Sequence, residues 1–181
     1  MLAKAYVEIT NVCNRSCAFC PGTKRKPGFM DRAAFARVLE RLQGHTKFLY
    51  FHLMGEPLCH PQLEAFLSLA HEAHFRVILT TNGTLLARQR EMLLRCPALH
   101  KVNISLHAFE ANDLAVPFHE YLADCFAFGK ASAGKKLVVY RLWNRGGADQ
   151  RRIGGLLRAL CDSGRHETLH TLCDGRLAAA V

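Results

Sequence analysis

Short apolar and β-branched runs alternate with helical periodicities almost from the first residue, the pattern expected of successive parallel β/α units. Residues 5–10 (Ala-Tyr-Val-Glu-Ile-Thr) read as a first strand. Asp31 is placed to cap a helix with the apolar stripe Phe35, Val38, Leu39 and Leu42, ended by Gly44. Residues 47–53 form a second strand, and Pro61 opens a helix that turns Leu63, Phe66, Leu67 and Ala70 inward. Residues 76–81 are a third strand turning at Asn82-Gly83, and Thr84 is expected to cap a third helix that stops before Pro97. A fourth strand over 101–107, a fourth helix from 118 to about 131 and a fifth strand over 136–143 follow. A fifth helix is expected over 149–160, weakened by Gly154-Gly155.

The pattern therefore predicts an α/β fold, a partial (β/α) barrel built on a parallel sheet with about five β/α units. It occupies residues 1–160, with 161–181 left as a short C-terminal tail in which Leu169 and Leu172 give a faint hint of a sixth element. The run Leu137-Val138-Val139 suits a strand covered on both faces. Strand four differs: Val102, Ile104 and Leu106 point one way, and Asn103, Ser105 and His107 the other. In a sheet covered by helices, such polar residues line a cavity, and the site of an open barrel lies at the carboxyl ends of its strands.

Composition narrows the setting. The chain has 181 residues, half of them hydrophobic, enough for one compact core. No apolar run approaches the ~20 residues of a membrane span, and the first residues lead straight into a strand, so neither a membrane segment nor a signal peptide is expected. Eight cysteines beside regular α/β patterning point to a reducing, cytoplasmic context rather than a disulfide framework. Cys59, Cys96, Cys125, Cys161 and Cys173 are scattered and read as small apolar side chains, with Cys59 nearest the candidate site. The net charge of +9 fits either solvated helix faces or a nucleic-acid surface. Its tightest cluster, Lys24-Arg25-Lys26, offers a contact for an anionic substrate.

The one stretch without periodicity carries the chemistry. Residues 11–30 form a connection longer than the ~12–15 residues of ordinary loops, and loops of that kind are functional or disordered. Within it, Cys13, Cys17 and Cys20 stand at spacings of Cys-x3-Cys-x2-Cys. Three thiolates so close can converge on a metal centre, whereas a closed zinc site or fully ligated cluster needs four ligands. His45, His52 and His60 are candidate fourth ligands for zinc, but none sits at knuckle spacing. The other reading is an iron–sulfur cube with one iron left open to a small molecule.

This motif, with Phe19 just before the last cysteine, resembles the signature of the radical S-adenosylmethionine (SAM) superfamily. The resemblance spans roughly residues 4–145. It implies that Cys13, Cys17 and Cys20 hold a [4Fe–4S] cluster whose fourth iron takes the amino and carboxylate groups of SAM. It also implies reductive cleavage of SAM to a 5′-deoxyadenosyl radical, which abstracts hydrogen from a substrate. After strand two, Gly55-Glu56-Pro57 resembles the family's Gly-Gly-Glu-Pro motif, with Met54 in place of the first glycine. By resemblance Glu56 and nearby carbonyls receive the SAM ammonium group, Phe19 offers its main chain to the adenine, and Ser105 and His107 contact ribose or carboxylate; His107 also reads as a substrate-side acid or base, or as a hydrogen-bonded core histidine. Thr80-Thr81-Asn82-Gly83-Thr84 is similar to a turn frequent in the family, and is also explained as a tight turn with a helix cap. Arg141, inside an apolar strand, is costly unless paired, and is expected to meet the SAM carboxylate or an acid such as Glu8.

The family core has six units against the five read here, so the sequence is expected to be a short member, a fragment or a remnant. The SPASM-type extension carried by similar members is not found. The resemblance further implies an electron donor such as a flavodoxin or ferredoxin. The substrate is unknown, a peptide or small molecule being favoured over RNA. The rival expectations are a non-catalytic iron–sulfur protein or electron carrier, an RNA-binding or RNA-modifying module, and a zinc protein.

Overall fold

A computed structural model describes residues 2–108, 116–142, 168–171 and 177–180. Five strands lie parallel in sequence order: β1 (Ala5–Tyr6), β2 (Phe48–Phe51), β3 (Arg76–Thr81), β4 (Leu99–Ser105) and β5 (Leu137–Leu142). Between them run α1 (Arg32–Leu42), α2 (Leu63–Glu72), α3 (Leu86–Arg95) and α4 (Phe118–Ser132). This is the expected partial barrel with its parallel sheet. The helix expected over 149–160 lies outside the described residues.

Two further strands, β6 (Thr168–Thr171) and β7 (Leu177–Ala180), join the same sheet, β7 lying antiparallel to both β5 and β6. The segment expected to be a tail thus extends the sheet past β5. Leu-Ala-Ala-Ala carries little β-propensity of its own, and it is the open edge of β5 that recruits it.

The sheet sorts its residues cleanly by face. Leu49, Phe51, Val77, Leu79, Val102, Ile104, Val138 and Tyr140 are buried in one apolar cluster against the helices. That cluster includes Leu63, Phe66, Leu67 and Ala70 of α2, the full stripe read from its periodicity, and the Phe66 ring stacks on Phe35 of α1 at 4.4 Å. Asp31 caps α1 as expected, accepting the Ala34 N–H at 2.6 Å. The opposite face carries Tyr6, Tyr50, His52, Ile78, Thr80, Lys101, Asn103, Ser105, Val139 and Arg141, and it is the concave face of the barrel.

Two boundaries differ from expectation for reasons that bear on the site. β1 is much shorter than 5–10, with one more bond from Val7 N–H to the Tyr50 carbonyl at 2.9 Å. Beyond it the backbone turns to pair with its own return segment, through the Thr10–Phe29 bridge and the bond from Met30 N–H to the Ile9 carbonyl at 2.8 Å. β4 begins two residues early and ends at Ser105, because 106–108 tighten into a 3-10 turn. The alternation read through His107 therefore holds only to Ser105.

Candidate cluster and SAM site

The cysteine loop is closed at its base by one side chain. Asn11 donates from Nδ2 to the Lys26 carbonyl at 2.9 Å, and its Oδ1 accepts the Gly28 N–H at 2.7 Å. Thr10 adds a bond from Oγ1 to the Gly28 carbonyl at 2.8 Å. The long aperiodic stretch is thus a tied loop leaving the carboxyl end of β1. Within it the Cys20 N–H bonds the Cys17 carbonyl at 2.9 Å. Cys13 and Cys20 are exposed and Cys17 is half-buried.

The turn after β2 rests directly on that base. Glu56 N–H donates to the Val12 carbonyl at 2.8 Å. Gly55 has φ +78, and a Cβ there would stand 2.5 Å from the Thr10 carbonyl oxygen and 2.9 Å from Asn11 backbone atoms. Glycine is the one residue that permits both this conformation and this approach. Leu53, which enters the turn, also has a positive φ of 117 and is exposed. A non-glycine residue held there is strained, and such strain gathers at ligand sites. Pro57 opens a buried 3-10 turn over Pro57–Cys59.

Glu56 is where the structure revises expectation. Its side chain is 2% exposed, with Oε1 accepting the Leu58 N–H at 3.0 Å and Oε2 the Asn82 N–H at 2.7 Å. A carboxylate enclosed in this way ties two loops together, with both oxygens engaged by backbone amides. Burial pushes its pKa up to about 7, against the opposing bonds from Asn82, Leu58 and the Thr81 hydroxyl. The acceptors left for an ammonium group are backbone carbonyls of the same turn, the other half of the expectation.

The turn after β3 grips the cysteine loop from the other side. Asn82 Nδ2 donates to Asn14 Oδ1 at 2.9 Å and lies 4.0 Å from Cys13 Sγ. Asn14 Nδ2 in turn donates to Thr84 Oγ1 at 2.9 Å. Asn82 Oδ1 accepts from Thr84 N–H at 3.0 Å and from its hydroxyl at 2.7 Å. Thr84 is thus occupied within the turn, and α3 starts without a side-chain cap, contrary to expectation. From α4, the Tyr121 hydroxyl donates to the Asn82 carbonyl at 2.8 Å. Asn14, Asn82 and Tyr121 carry this interlock. Asn82 could be suspected from its turn, but no local signal singles out Tyr121, 39 residues away.

The remaining expected residues gather at the far rim. Ser105 and Arg141 are register partners at the ends of β4 and β5. The Phe19 ring packs on His107 at 4.9 Å, so the cysteine loop reaches across the barrel mouth to them. His107 Nδ1 bonds the Arg141 carbonyl at 3.3 Å, which fixes the proton on that nitrogen. Burial and the Arg141 charge both press the His107 pKa below its usual range. Glu8, offered as a partner for Arg141, is instead engaged by Arg25, and it accepts the Met54 N–H at 3.2 Å.

The donor set fits a cluster better than a single ion. Among the described residues, no three of His, Cys, Asp and Glu converge closely enough to share one metal. The thiolates of a cube serve different irons at separate corners and stand further apart than ligands to one ion. Three exposed or half-exposed thiols on a tied loop, beside a backbone made approachable by Gly55, are the donors such a cluster would use. His52 and His60 do not join them: His60 is buried, with Nε2 on the Met30 carbonyl and Nδ1 accepting the Gln62 N–H. Burial raises the Cys59 pKa, so this neighbour stays a neutral thiol.

Comparison with known proteins agrees with this geometry. The radical SAM superfamily model matches residues 7–171. The S-adenosyl-L-methionine-dependent 2-deoxy-scyllo-inosamine dehydrogenase of Niallia circulans is 29% identical over 154 residues, covering 78% of this chain and 58% of that protein. The GTP 3',8-cyclase of Synechococcus sp. (strain CC9902) is 34% identical over 117 residues, 60% of this chain and 33% of the relative. The crystal structure of BtrN in complex with AdoMet and 2-DOIA superposes with a TM-score of 0.61 at 28% identity, covering 77% of this chain and 56% of that one. Streptococcus suis SuiB bound to S-adenosylmethionine shares the fold, with a TM-score of 0.64 at 17% identity over 88% of this chain and 38% of that one. The chain spans little more than half the length of the first of these curated relatives and a third of the second. Among the described residues no helix is long and apolar enough to cross a membrane.

Proposed function

The chain belongs to the radical SAM superfamily, and from that premise we propose that it is a radical SAM enzyme core in which Cys13, Cys17 and Cys20 hold a [4Fe–4S] cluster. When bound there, the cluster supplies the electron for reductive cleavage of SAM, and the resulting 5′-deoxyadenosyl radical takes hydrogen from a substrate. The observation that carries the reading is the interlock. The turns after β2 and β3 are joined through Glu56 and Asn82, and both grip the cysteine loop.

The chain's own residues divide the work of holding SAM. Carbonyls of the Gly55-Glu56-Pro57 turn receive its ammonium group, and Glu56 fixes the path of that turn from behind. Arg141, beside Ser105 at the barrel mouth, offers a permanent cation to its carboxylate. The Phe19 backbone lies against the adenine, while the Phe19 ring packs on His107 and holds the cysteine loop at the mouth.

A low-potential carrier such as a flavodoxin or ferredoxin is the reductant in this reading, and the reducing cytoplasm is its setting. The relatives' names span an inosamine and GTP, so they single out no substrate for this chain.

Anaerobic reconstitution tests the reading. Wild type should take up about four irons per chain, form 5′-deoxyadenosine with dithionite, and change its iron spectrum when SAM is added. A Cys13→Ala/Cys17→Ala/Cys20→Ala variant with unchanged iron content would overturn it.

A further inference from the structure

An α-helix that follows a parallel strand starts level with that strand's carboxyl end, so the first turn of α4 stands beside the rim turns of the barrel. Tyr121, Cys125 and Phe128 form its buried stripe at helical spacing. From that stripe Tyr121 reaches into the turn after β3, where its hydroxyl donates to the Asn82 carbonyl at 2.8 Å. The turn is shaped to receive it. Gly83 has φ +83, and a Cβ there would stand 2.9 Å from Cys125 Sγ and 3.0 Å from the Tyr121 hydroxyl oxygen. A side chain at that position would press α4 away from the turn.

Asn82 is bonded through each of its polar groups. The Glu56 carboxylate, from the turn after β2, accepts its N–H at 2.7 Å, and Tyr121, from α4, donates to its carbonyl. Thr84, just ahead of α3, donates to its Oδ1. Its Nδ2 meets the cysteine loop, on Asn14 Oδ1 at 2.9 Å and 4.0 Å from Cys13 Sγ. The two backbone bonds flank the carbon that bears this side chain, so they act as a clamp on its direction. The bond from the Gly83 N–H to the Thr81 hydroxyl at 3.0 Å is internal to the turn and moves with it. Tyr121 is what ties the same peptide to the helix layer.

We propose that Tyr121 is a positioning residue for the cluster site: its hydroxyl holds the carbonyl half of the Asn82 clamp and so keeps the Asn82 amide aimed at Cys13 Sγ. The helix layer outside the barrel thereby helps to set the surroundings of a cluster thiolate at its mouth. The inference rests on the radical SAM reading for the cluster, whereas the clamp is measurable in the cluster-free chain. A tyrosine with a packing role alone would fill space and satisfy a carbonyl. Tyr140 is the matched case. It is buried, its hydroxyl lies against Gly129 and donates to the Cys125 carbonyl at 3.3 Å, and that bond ends on helix backbone rather than on the turn.

Tyr121→Phe and Tyr140→Phe each keep the ring and lose one buried hydroxyl. Hydrogen exchange on the cluster-free chain reads the clamp directly. Tyr121→Phe should speed exchange of the Asn82 and Gly83 amides at least about tenfold, with the amides of α1 within about twofold of wild type. Tyr140→Phe should leave the Asn82 and Gly83 amides within about twofold. After anaerobic reconstitution, Tyr121→Phe should show a more negative cluster potential than wild type, because a donor less firmly aimed at a thiolate stabilises the reduced state less. Tyr140→Phe should keep the wild-type potential. In an Asn82→Asp chain, which has no Nδ2 donor, Tyr121→Phe should produce less than about half of that shift while still speeding exchange.

Equal exchange at Asn82 and Gly83 in the two variants, an unchanged potential in fully loaded Tyr121→Phe, or an equal shift in Tyr140→Phe would each overturn the proposal. A Tyr121→Phe chain that is folded by circular dichroism but loads clearly less iron than Tyr140→Phe bears it out by the same geometry. Failure of the enzyme reading is distinct: wild type then takes up no iron, and the exchange result alone decides the clamp. Normal iron and 5′-deoxyadenosine in wild type, with Tyr121→Phe indistinguishable from it, sinks the positioning role alone.

Discussion

Glu56 Oε2 accepts the backbone N–H of Asn82 at 2.7 Å, and through that bond the turn after β2 is pinned to the turn after β3. The other oxygen holds the Leu58 amide, and Asn82 passes the connection on to Asn14 in the cysteine loop. A buried carboxylate thereby sets the relative positions of three loops that have to meet on one ligand.

Glu56→Ala would leave two buried amides without acceptors, a loss on the order of 2–4 kcal/mol. Glu56→Gln keeps one acceptor and should cost less. Urea denaturation of the two variants and wild type gives the ranking, and equal stabilities would contradict the cross-tie. The pH dependence has a definite sign. The carboxyl titrates near 7 in the folded chain against an ordinary value of 4.5. Between those values the folded state keeps a proton that the unfolded state has released. Stability relative to Glu56→Gln should therefore fall as pH rises from about 4.5 to about 7, then level off.

Gly55→Ala and Gly44→Ala form a matched pair. Both glycines have positive φ, 78 and 74 respectively. An added Cβ at Gly44 meets nothing within 4 Å, whereas at Gly55 it runs into the Thr10 carbonyl and the Asn11 backbone. Gly44→Ala should cost only the backbone strain, about 1 kcal/mol. Gly55→Ala must also displace the base of the cysteine loop, and should lower iron uptake on reconstitution as well as stability. Equal iron content in the two variants would mean that the close approach does not matter to the cluster site.

His60 gives a second pH-dependent prediction, opposite in sign. Its Nε2–H bonds the Met30 carbonyl at 3.0 Å, its Nδ1 accepts from Gln62 N–H at 3.1 Å, and burial holds its pKa below 6.5. Protonation would set one N–H against another. The unfolded chain takes up this proton near 6.5 while the folded chain resists it, so stability is lost as pH falls below about 6.5. The denaturation midpoint of wild type should drop more than that of His60→Gln between about pH 7.5 and about pH 5.5. Parallel midpoints would show that His60 protonates freely in the fold.

Sequence periodicity makes the scaffold legible because its signals are local. The limits of β3 and the inward stripe of α2 follow from residues within a few positions of one another. The cysteine triplet and the Gly-Glu-Pro turn are local in the same sense. What escapes is whatever a distant partner decides. The role of Glu56 as a tie between two turns is invisible until Asn82, 26 residues on, meets its carboxylate. Thr84 looks like a cap until Asn14, 70 residues back, donates to its hydroxyl. The pairing of 177–180 with β5 is equally remote, since nothing in Leu-Ala-Ala-Ala announces a strand before the β5 edge is there to receive it.

The side chain of Asn82 offers a direct link between the protein and the electronics of the proposed cluster. Its Nδ2 is anchored on Asn14 at 2.9 Å and stands 4.0 Å from Cys13 Sγ, while Glu56 and Tyr121 hold its backbone from both sides. A donor aimed at a cluster thiolate favours the reduced, more negative state and raises the reduction potential. Asn82→Ala removes the donor together with the anchor for Asn14, so its loss of iron would report on loop geometry alone. Asn82→Asp keeps the shape and the acceptor for Thr84 and can hold Asn14 once the Asn14 amide turns to donate, but it puts negative charge beside Cys13. The Asp variant should therefore load iron close to wild type and show a more negative cluster potential in an anaerobic redox titration. An unchanged potential with full iron content would reduce Asn82 to a structural fastener. A lower potential would make the turn after β3 part of what sets the potential of the proposed cluster.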